Sequence, residues 1–410
     1  MARYHRTAMS DAVVSFRSTR VQIPVLLVSL GHGATHWIAA TFYLVLPFIT
    51  RDLGLSYVQA GALVTCFHVG STLANFPSGT LVDLTGKRIA IQATALVLGS
   101  VALFGVGAVD AYLALCAVVA VLGASNMLWH PAAISYLSLH LPNNRGYALS
   151  IHALGANLGD AVAPVVAGWL LLSLSWHTTA ELNALSGIIA AAIIVIVLAR
   201  SDQASTSASK AIDWRSYGKS LWETLKRRDI WSLCLMSGFR TMSQSGLLVF
   251  LPLFLANEMK VDPFMMGITL MLLQLGGVVA TPIAGVLSDR IGRRPIVMGG
   301  IFATTILVFA LAFISNKTIF VITVAVLGFF MYAVRPVIHS WMMDRAPPHL
   351  AATLTSTLFG TQSLLSMIGP VIGGWLADRY GLGSVFYFLA GLVLIANLLA
   401  FAVPRSEKGD

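Results

Sequence analysis

Twelve stretches of this sequence run for some twenty or more largely apolar residues, and most loops between them are short. A backbone in hydrocarbon finds no water to bond. Each stretch must therefore satisfy its own N–H and C=O groups as a membrane-spanning helix. The expected spans are 22–50, 57–82, 88–108, 111–138, 145–173, 178–199, 230–257, 263–288, 295–314, 318–343, 351–379 and 383–403. The chain is 57% hydrophobic and 10% charged, with mean hydropathy +0.80. A soluble domain carries about 25% charged residues, so the outer surface here must face lipid. Cys66, Cys116 and Cys234 sit in apolar runs and build neither a disulfide framework nor a metal motif. The net charge of +9 is scattered over loops, not gathered on one basic face, which excludes a nucleic-acid partner.

With both termini cytoplasmic, 20 of the lysines and arginines fall inside and 4 outside, leaving Arg240 and Arg335 within spans. The reverse topology breaks the positive-inside rule at almost every loop. Residues 1–21 form a basic tail with no small-residue cleavage site, so span 1 reads as a retained helix. Residues 200–229 open as a Ser-rich linker. They continue with Trp214, Leu221, Trp222 and Leu225 among basic residues, the pattern of an interfacial helix. Residues 404–410 are a second cytoplasmic tail. The linker divides the spans into bundles at 22–199 and 230–403.

The two halves echo one another. Gly79-x3-Asp83-x2-Gly86-Lys87-Arg88 recurs 206 residues later as Gly285-x3-Asp289-x2-Gly292-Arg293-Arg294. Ala163-Pro164-x2-Ala167-Gly168-Trp169 recurs as Gly369-Pro370-x2-Gly373-Gly374-Trp375, and His130-Pro131 is matched by Arg335-Pro336. Landmarks in one order at near-constant offset indicate a duplicated architecture with one site between the halves. In each loop motif the first glycine allows close helix approach, the aspartate can accept from a helix N-terminus or pair with arginine, and the second glycine permits the turn.

The doubled motif, the twelve spans and the central loop resemble the major facilitator superfamily over essentially the whole chain. The resemblance implies an all-α membrane protein of twelve transmembrane helices in two pseudo-symmetric six-helix bundles. It also implies a latch that stabilises the outward-facing state, here Gly79, Asp83, Gly86, Arg88, Gly285, Asp289, Gly292 and Arg293. The alternative is a pair of plain loop turns. A looser third copy, Gly374-Trp-Leu-Ala-Asp378-Arg379, ends span 11 and is read as a helix end with no latch role. Gly155, Gly159, Pro164 and Gly168 in span 5 resemble the antiporter motif of exporting facilitators, against the plainer reading of tight helix packing.

Ionisable residues inside the spans are His32, His36, His68, His130, His152, Asp160, Arg240, Arg335 and His339; spans 3, 6, 9 and 12 hold none in their interiors. Such a group costs roughly 2.5–3.5 kcal/mol in a bilayer and normally faces a wet cavity or a partner. In a facilitator, spans 1, 4, 7 and 10 surround the cavity. Two arginines and six histidines against one acid point to an anionic substrate held by Arg240 and Arg335. His32, His36, His130 and His339 join them as expected binding residues, with Trp37, Trp129 and Tyr332 covering an apolar part. A rival pairs Asp160 with an arginine as a structural bridge. Asp160, then His36 and His130, are the expected proton-coupling groups. His32 and His36 share a helix face. With His130 they could form a soft metal or chelate site, but no carboxylate or cysteine is visibly set to complete it, so no metal and no cofactor is expected.

Gly31-His32, Trp129-His130-Pro131 and Ser150-Ile-His-Ala-Leu-Gly155-Ala-Asn157-Leu-Gly159 resemble the fosmidomycin-resistance group of bacterial exporters. That likeness implies proton-driven efflux of toxic compounds, including an anionic phosphonate. The group tends to place an acid soon after the His-Pro pair, where Ala132 and Ala133 stand, and Asn-Asp in span 1, where Thr35-His36 stand. The expected function is a proton-coupled antiporter of the bacterial inner membrane, a monomer exporting small anionic or acidic compounds or drugs by alternating access. The alternatives are a symporter importing an organic anion or metal chelate, and a non-transporting receptor or assembly factor. The expected partners are a small-molecule substrate, protons and the bilayer. No nucleophile–base pair or phosphate loop argues for an enzyme.

Overall fold

In the computed structural model, residues 19–141, 144–199, 222, 226–345 and 351–403 are described. Among them lie twelve helices and no strand. They are α1 (Thr19–Asp52), α2 (Tyr57–Thr85), α3 (Arg88–Ala108), α4 (Tyr112–His140), α5 (Arg145–Leu170) and α6 (Trp176–Leu198), then α7 (Arg228–Asn257), α8 (Pro263–Ile291), α9 (Arg293–Leu311), α10 (Lys317–Arg345), α11 (Ala351–Tyr380) and α12 (Gly383–Ala402). Ten are long and apolar enough to cross a membrane by length and composition. The other two, α2 and α11, pack against each other. The interfacial helix expected within 200–229 lies outside the described residues, apart from Trp222 and residues 226–229; so do both tails, except that residues 19–21 belong to α1.

Helices α1–α6 form one bundle and α7–α12 the other, each built on equivalent pairings: α1 with α5 and α7 with α11, α2 with α4 and α8 with α10. Prolines interrupt the backbone ladders of several helices. Pro47, Pro131, Pro164, Pro252, Pro336 and Pro370 lie within α1, α4, α5, α7, α10 and α11, whereas α3, α6 and α12 have no proline. A proline removes one helical hydrogen bond, which is tolerated where neighbouring helices bury the gap.

The bundles meet along two seams, α2 against α11 and α5 against α8. Both are tightest at the end opposite the two loop motifs. There Asp378 Oδ1 and Oδ2 accept hydrogen bonds from the backbone N–H groups of Tyr57 and Val58 at 2.8 and 3.0 Å. Ser56 Oγ accepts from Gln59 N at 3.2 Å, and Ala60 N begins the helical ladder on Ser56 O at 3.0 Å. The donors that open α2 are thus satisfied by one carboxylate of the other bundle and one serine of its own. Thr65 Oγ1 donates to the Met367 carbonyl at 2.7 Å, and Asn257 Nδ2 to Tyr57 Oη at 3.2 Å. Asp378, read from sequence as a plain helix end, therefore joins the bundles.

The motif end is parted. Gly86 and Gly292 take positive φ of 62° and 95° at the turns expected of them. Arg88 donates to Ser135 Oγ at 2.9 Å, and Arg293 pairs with Asp289 and, at 3.2 Å, with Asp344. Each contact stays within its own bundle. Asp83 is exposed, and a Cβ placed on Gly79 or Gly285 meets nothing within 4 Å. Among the described residues the close approach expected at these glycines is absent, so the motif end is open there and the opposite end shut.

Candidate functional site

Between the bundles is a cavity of about 430 Å³ lined from both sides. His32 and His36 come from α1, Asn126 and His130 from α4, Asn157 and Asp160 from α5. The other bundle supplies Gln244 of α7, Gln274 of α8, and Tyr332 and Arg335 of α10. An adjoining cavity of about 420 Å³ continues past Arg335 to His339 and Gln362. Helices of both bundles therefore bring His32, His36, His130, Asp160, Arg335 and His339 to one pair of adjoining cavities.

On the α1–α4–α5 wall the histidines are held one by one. His32 Nδ1 lies 2.8 Å from the His152 carbonyl, and His130 Nδ1 2.9 Å from the Asn126 carbonyl. His36 Nδ1 lies 2.9 Å from Asp160 Oδ2. A carbonyl or carboxylate oxygen only accepts, so each Nδ1 carries the hydrogen and donates it. Pro131, with no N–H of its own, loosens the ladder next to His130. His152 stacks on His32 with centroids 3.8 Å apart, and Trp129 lies parallel behind both. The His32 and His130 Nε2 atoms then face each other across 3.4 Å.

The opposite wall carries Arg335. Its side chain is exposed to the cavities and makes no hydrogen bond or ion pair among the described residues. A guanidinium so placed is a ready bidentate partner for a carboxylate or phosphate.

Several expected residues lie elsewhere. Arg240 is only 3% exposed and donates through Nη2 to the Met331 carbonyl at 2.5 Å. It braces α7 against α10 and does not line the cavity, whereas Arg335 does. Trp37 turns outward, donating to Asn183 Oδ1 of α6 at 2.7 Å and lining a surface groove between α1, α5 and α6. Trp129 is fully buried and backs the histidines without reaching the chamber. Asp160 pairs with His36 and not with an arginine. His339 lines the adjoining cavity and stacks on Phe359. His68 packs edge-on against Phe67. The small-residue ridge on α5 packs closely on α1: a Cβ on Gly155 or Gly159 would run into the Ser29 or Gly33 carbonyl. Asn126, Asn157, Gln244 and Gln274 were missed, because neutral amides in apolar runs carry no charge signal.

The chain matches the Major Facilitator Superfamily over residues 28–242 and 233–410. It is a member of that superfamily. The multidrug efflux pump Tap of Mycolicibacterium fortuitum is 23% identical over 407 residues, covering 94% of this chain and 96% of that protein. The phosphoglycerate transporter protein of Salmonella typhimurium is 22% identical, covering 98% and 92%. Among solved structures, a bacterial homolog of the human lysosomal transporter Spinster, in an inward-facing and unoccupied conformation, superposes with a TM-score of 0.82 at 17% identity, covering 94% of this chain and 97% of that one. The superfamily and these relatives are transporters, not enzymes.

Proposed function

We propose that this facilitator is a proton-coupled secondary transporter of small organic anions in a bacterial inner membrane, with both termini cytoplasmic. The observation that carries this reading is Arg335, a fixed cation open to the central cavity with no acidic partner among the described residues. The likeness to a phosphoglycerate transporter supports the anionic class. In the orientation that obeys the positive-inside rule, the open end faces the cytoplasm. Transport is then a rocking of the bundles about the cavity, with Asp378 closing the outer end and Asp83 and Asp289 latching the inner end in the other state. Both bundles contribute to the one chamber, so a monomer suffices.

The Asp160–His36 pair is the proton-binding element of this reading. It shares a chamber with Arg335, so an added proton raises the positive charge that an anion meets. By linkage the anion raises proton affinity equally. Mutual reinforcement of this sign favours co-transport of anion and proton. A second reading, antiport exporting acidic compounds, is favoured by the likeness to the efflux pump Tap and by the small-residue ridge of α5.

Everted vesicles with a pH-sensitive dye test both. Anion-dependent proton movement that fails in Arg335→Ala supports the reading, and its direction separates symport from antiport. Equal responses to cations and anions, unchanged in Arg335→Ala, would overturn the anion assignment.

A further inference from the structure

Three imidazoles on one wall of the cavity share a single arrangement. His32, His130 and His36 each donate Nδ1–H to an oxygen, at 2.8, 2.9 and 2.9 Å. Each therefore keeps Nε2 as the nitrogen with a free lone pair. Two of those lone pairs face each other at 3.4 Å, and one ring nitrogen from each of the three residues lies within 4.8 Å of the others. Bare nitrogens at that distance repel unless a cation sits between them. A hydrogen bridges only two nitrogens, whereas a divalent ion takes three or four.

Zn–N bonds of 2.0–2.1 Å in tetrahedral geometry place neighbouring ligand nitrogens about 3.3–3.4 Å apart. Histidines that bind metal almost always donate their other N–H to a carbonyl or carboxylate, which fixes tautomer and orientation. Here the His152 and Asn126 carbonyls and the Asp160 carboxylate fill that role. Asp160 also supplies the negative charge that the sequence left unplaced.

We propose that His32, His130 and His36 bind one divalent late transition-metal ion of the Zn²⁺, Ni²⁺ or Co²⁺ class. The nitrogen set and the lack of a thiolate select those ions over Mg²⁺ or Ca²⁺. The remaining coordination position opens to the cavity that Arg335 lines. The cargo is thus a metal ion together with a small carboxylate ligand, one oxygen on the metal and the anionic charge on the guanidinium. This deepens the function proposed above and rests on its placing of cargo in the central cavity.

The test uses the full chain, without an affinity tag, purified in detergent at neutral pH. Co²⁺ is titrated and followed by visible absorption, and Zn²⁺ by competition with a chromogenic chelator. One ion per chain is expected, with a Co²⁺ spectrum of four-coordinate nitrogen-rich type. His32→Gln and His130→Gln should each weaken binding by at least about tenfold, Asp160→Asn by about tenfold, and His140→Gln not at all. X-ray absorption of the Zn²⁺ form of the wild type guards against misfolded variants and should find imidazole ligands. Absence of saturable binding, or a bound zinc without imidazole scattering, would overturn the site. Anion exchange by chelator-treated protein separates the two proposals. Flux that persists without metal while Zn²⁺ fails to bind sinks the metal site and leaves the anion reading standing. Zn²⁺ bound without any anion flux does the reverse.

Discussion

The carboxylate of Asp378, at the last turn of α11, caps the first turn of α2 by accepting the Tyr57 and Val58 N–H groups at 2.8 and 3.0 Å. A negative charge at a helix N-terminus gains from both the orphan donors and the dipole. Because the helix belongs to the other bundle, this cap exists only while that end is closed.

Asp378→Ala should therefore shift the protein towards the state closed at the motif end, by about 1–2 kcal/mol. Double electron–electron resonance between spin labels across each end measures it. Unchanged distance distributions at both ends would refute the role.

Glycines at the two ends should respond in opposite senses. A Cβ on Gly374 would strike the Tyr57 carbonyl, so Gly374→Val disfavours the present state. Gly79→Val meets open space here, so it should fold normally and trap this state. Each should slow transport by roughly tenfold or more, since about 1.4 kcal/mol is enough. Cysteine cross-linking at the motif end is expected to rise in the first variant and fall in the second.

The two arginines should separate in kinetics. Arg335→Ala should raise the KM for an anion by about tenfold or more, the loss of a charge-assisted bidentate pair, with Arg335→Lys recovering part of it. Arg240→Ala should instead lower the thermal midpoint, because it removes the buried bond that ties α7 to the Met331 carbonyl of α10. An unaltered KM in Arg335→Ala would remove the anion site from this cavity.

In chelator-treated protein, Asp160→Asn should keep anion counterflow while losing accumulation driven by a proton gradient. Vesicles loaded with labelled substrate compare the two modes directly. Retention of gradient-driven accumulation would move the coupling role away from Asp160.

Trp37→Phe deletes the bond to Asn183 between α1 and α6. It should cost about 1 kcal/mol of stability and leave KM unchanged. A raised KM would return Trp37 to the substrate path.

The architecture was readable because lipid imposes one rule on every span, and the duplicated loops fixed the pairing of halves. The termini of all twelve helices fall within three residues of the expected spans for the same reason. Charges marked the helices that face the cavity, but not which way each side chain turns. Arg240 and Arg335 look alike in sequence, yet one is sealed under a carbonyl and the other faces the chamber. The Asp160–His36 contact links α5 to α1 across 124 residues, and no local spacing announces it. Asp378 looked like a helix end because its partners are backbone groups, which every residue has.

At the shut seams a glycine of each helix rests on a backbone carbonyl of its neighbour. Gly61 and Gly374 meet the Pro370 and Tyr57 carbonyls across α2 and α11, while Gly168 and Gly267 meet those of Pro263 and Pro164 across α5 and α8. The atoms nearest these four glycines are backbone atoms of the facing helix, so the spacing of each seam is set by main chain against main chain. A single added methyl at any of the four would act as a wedge between the bundles, while the polar catch at Asp378 holds them in register.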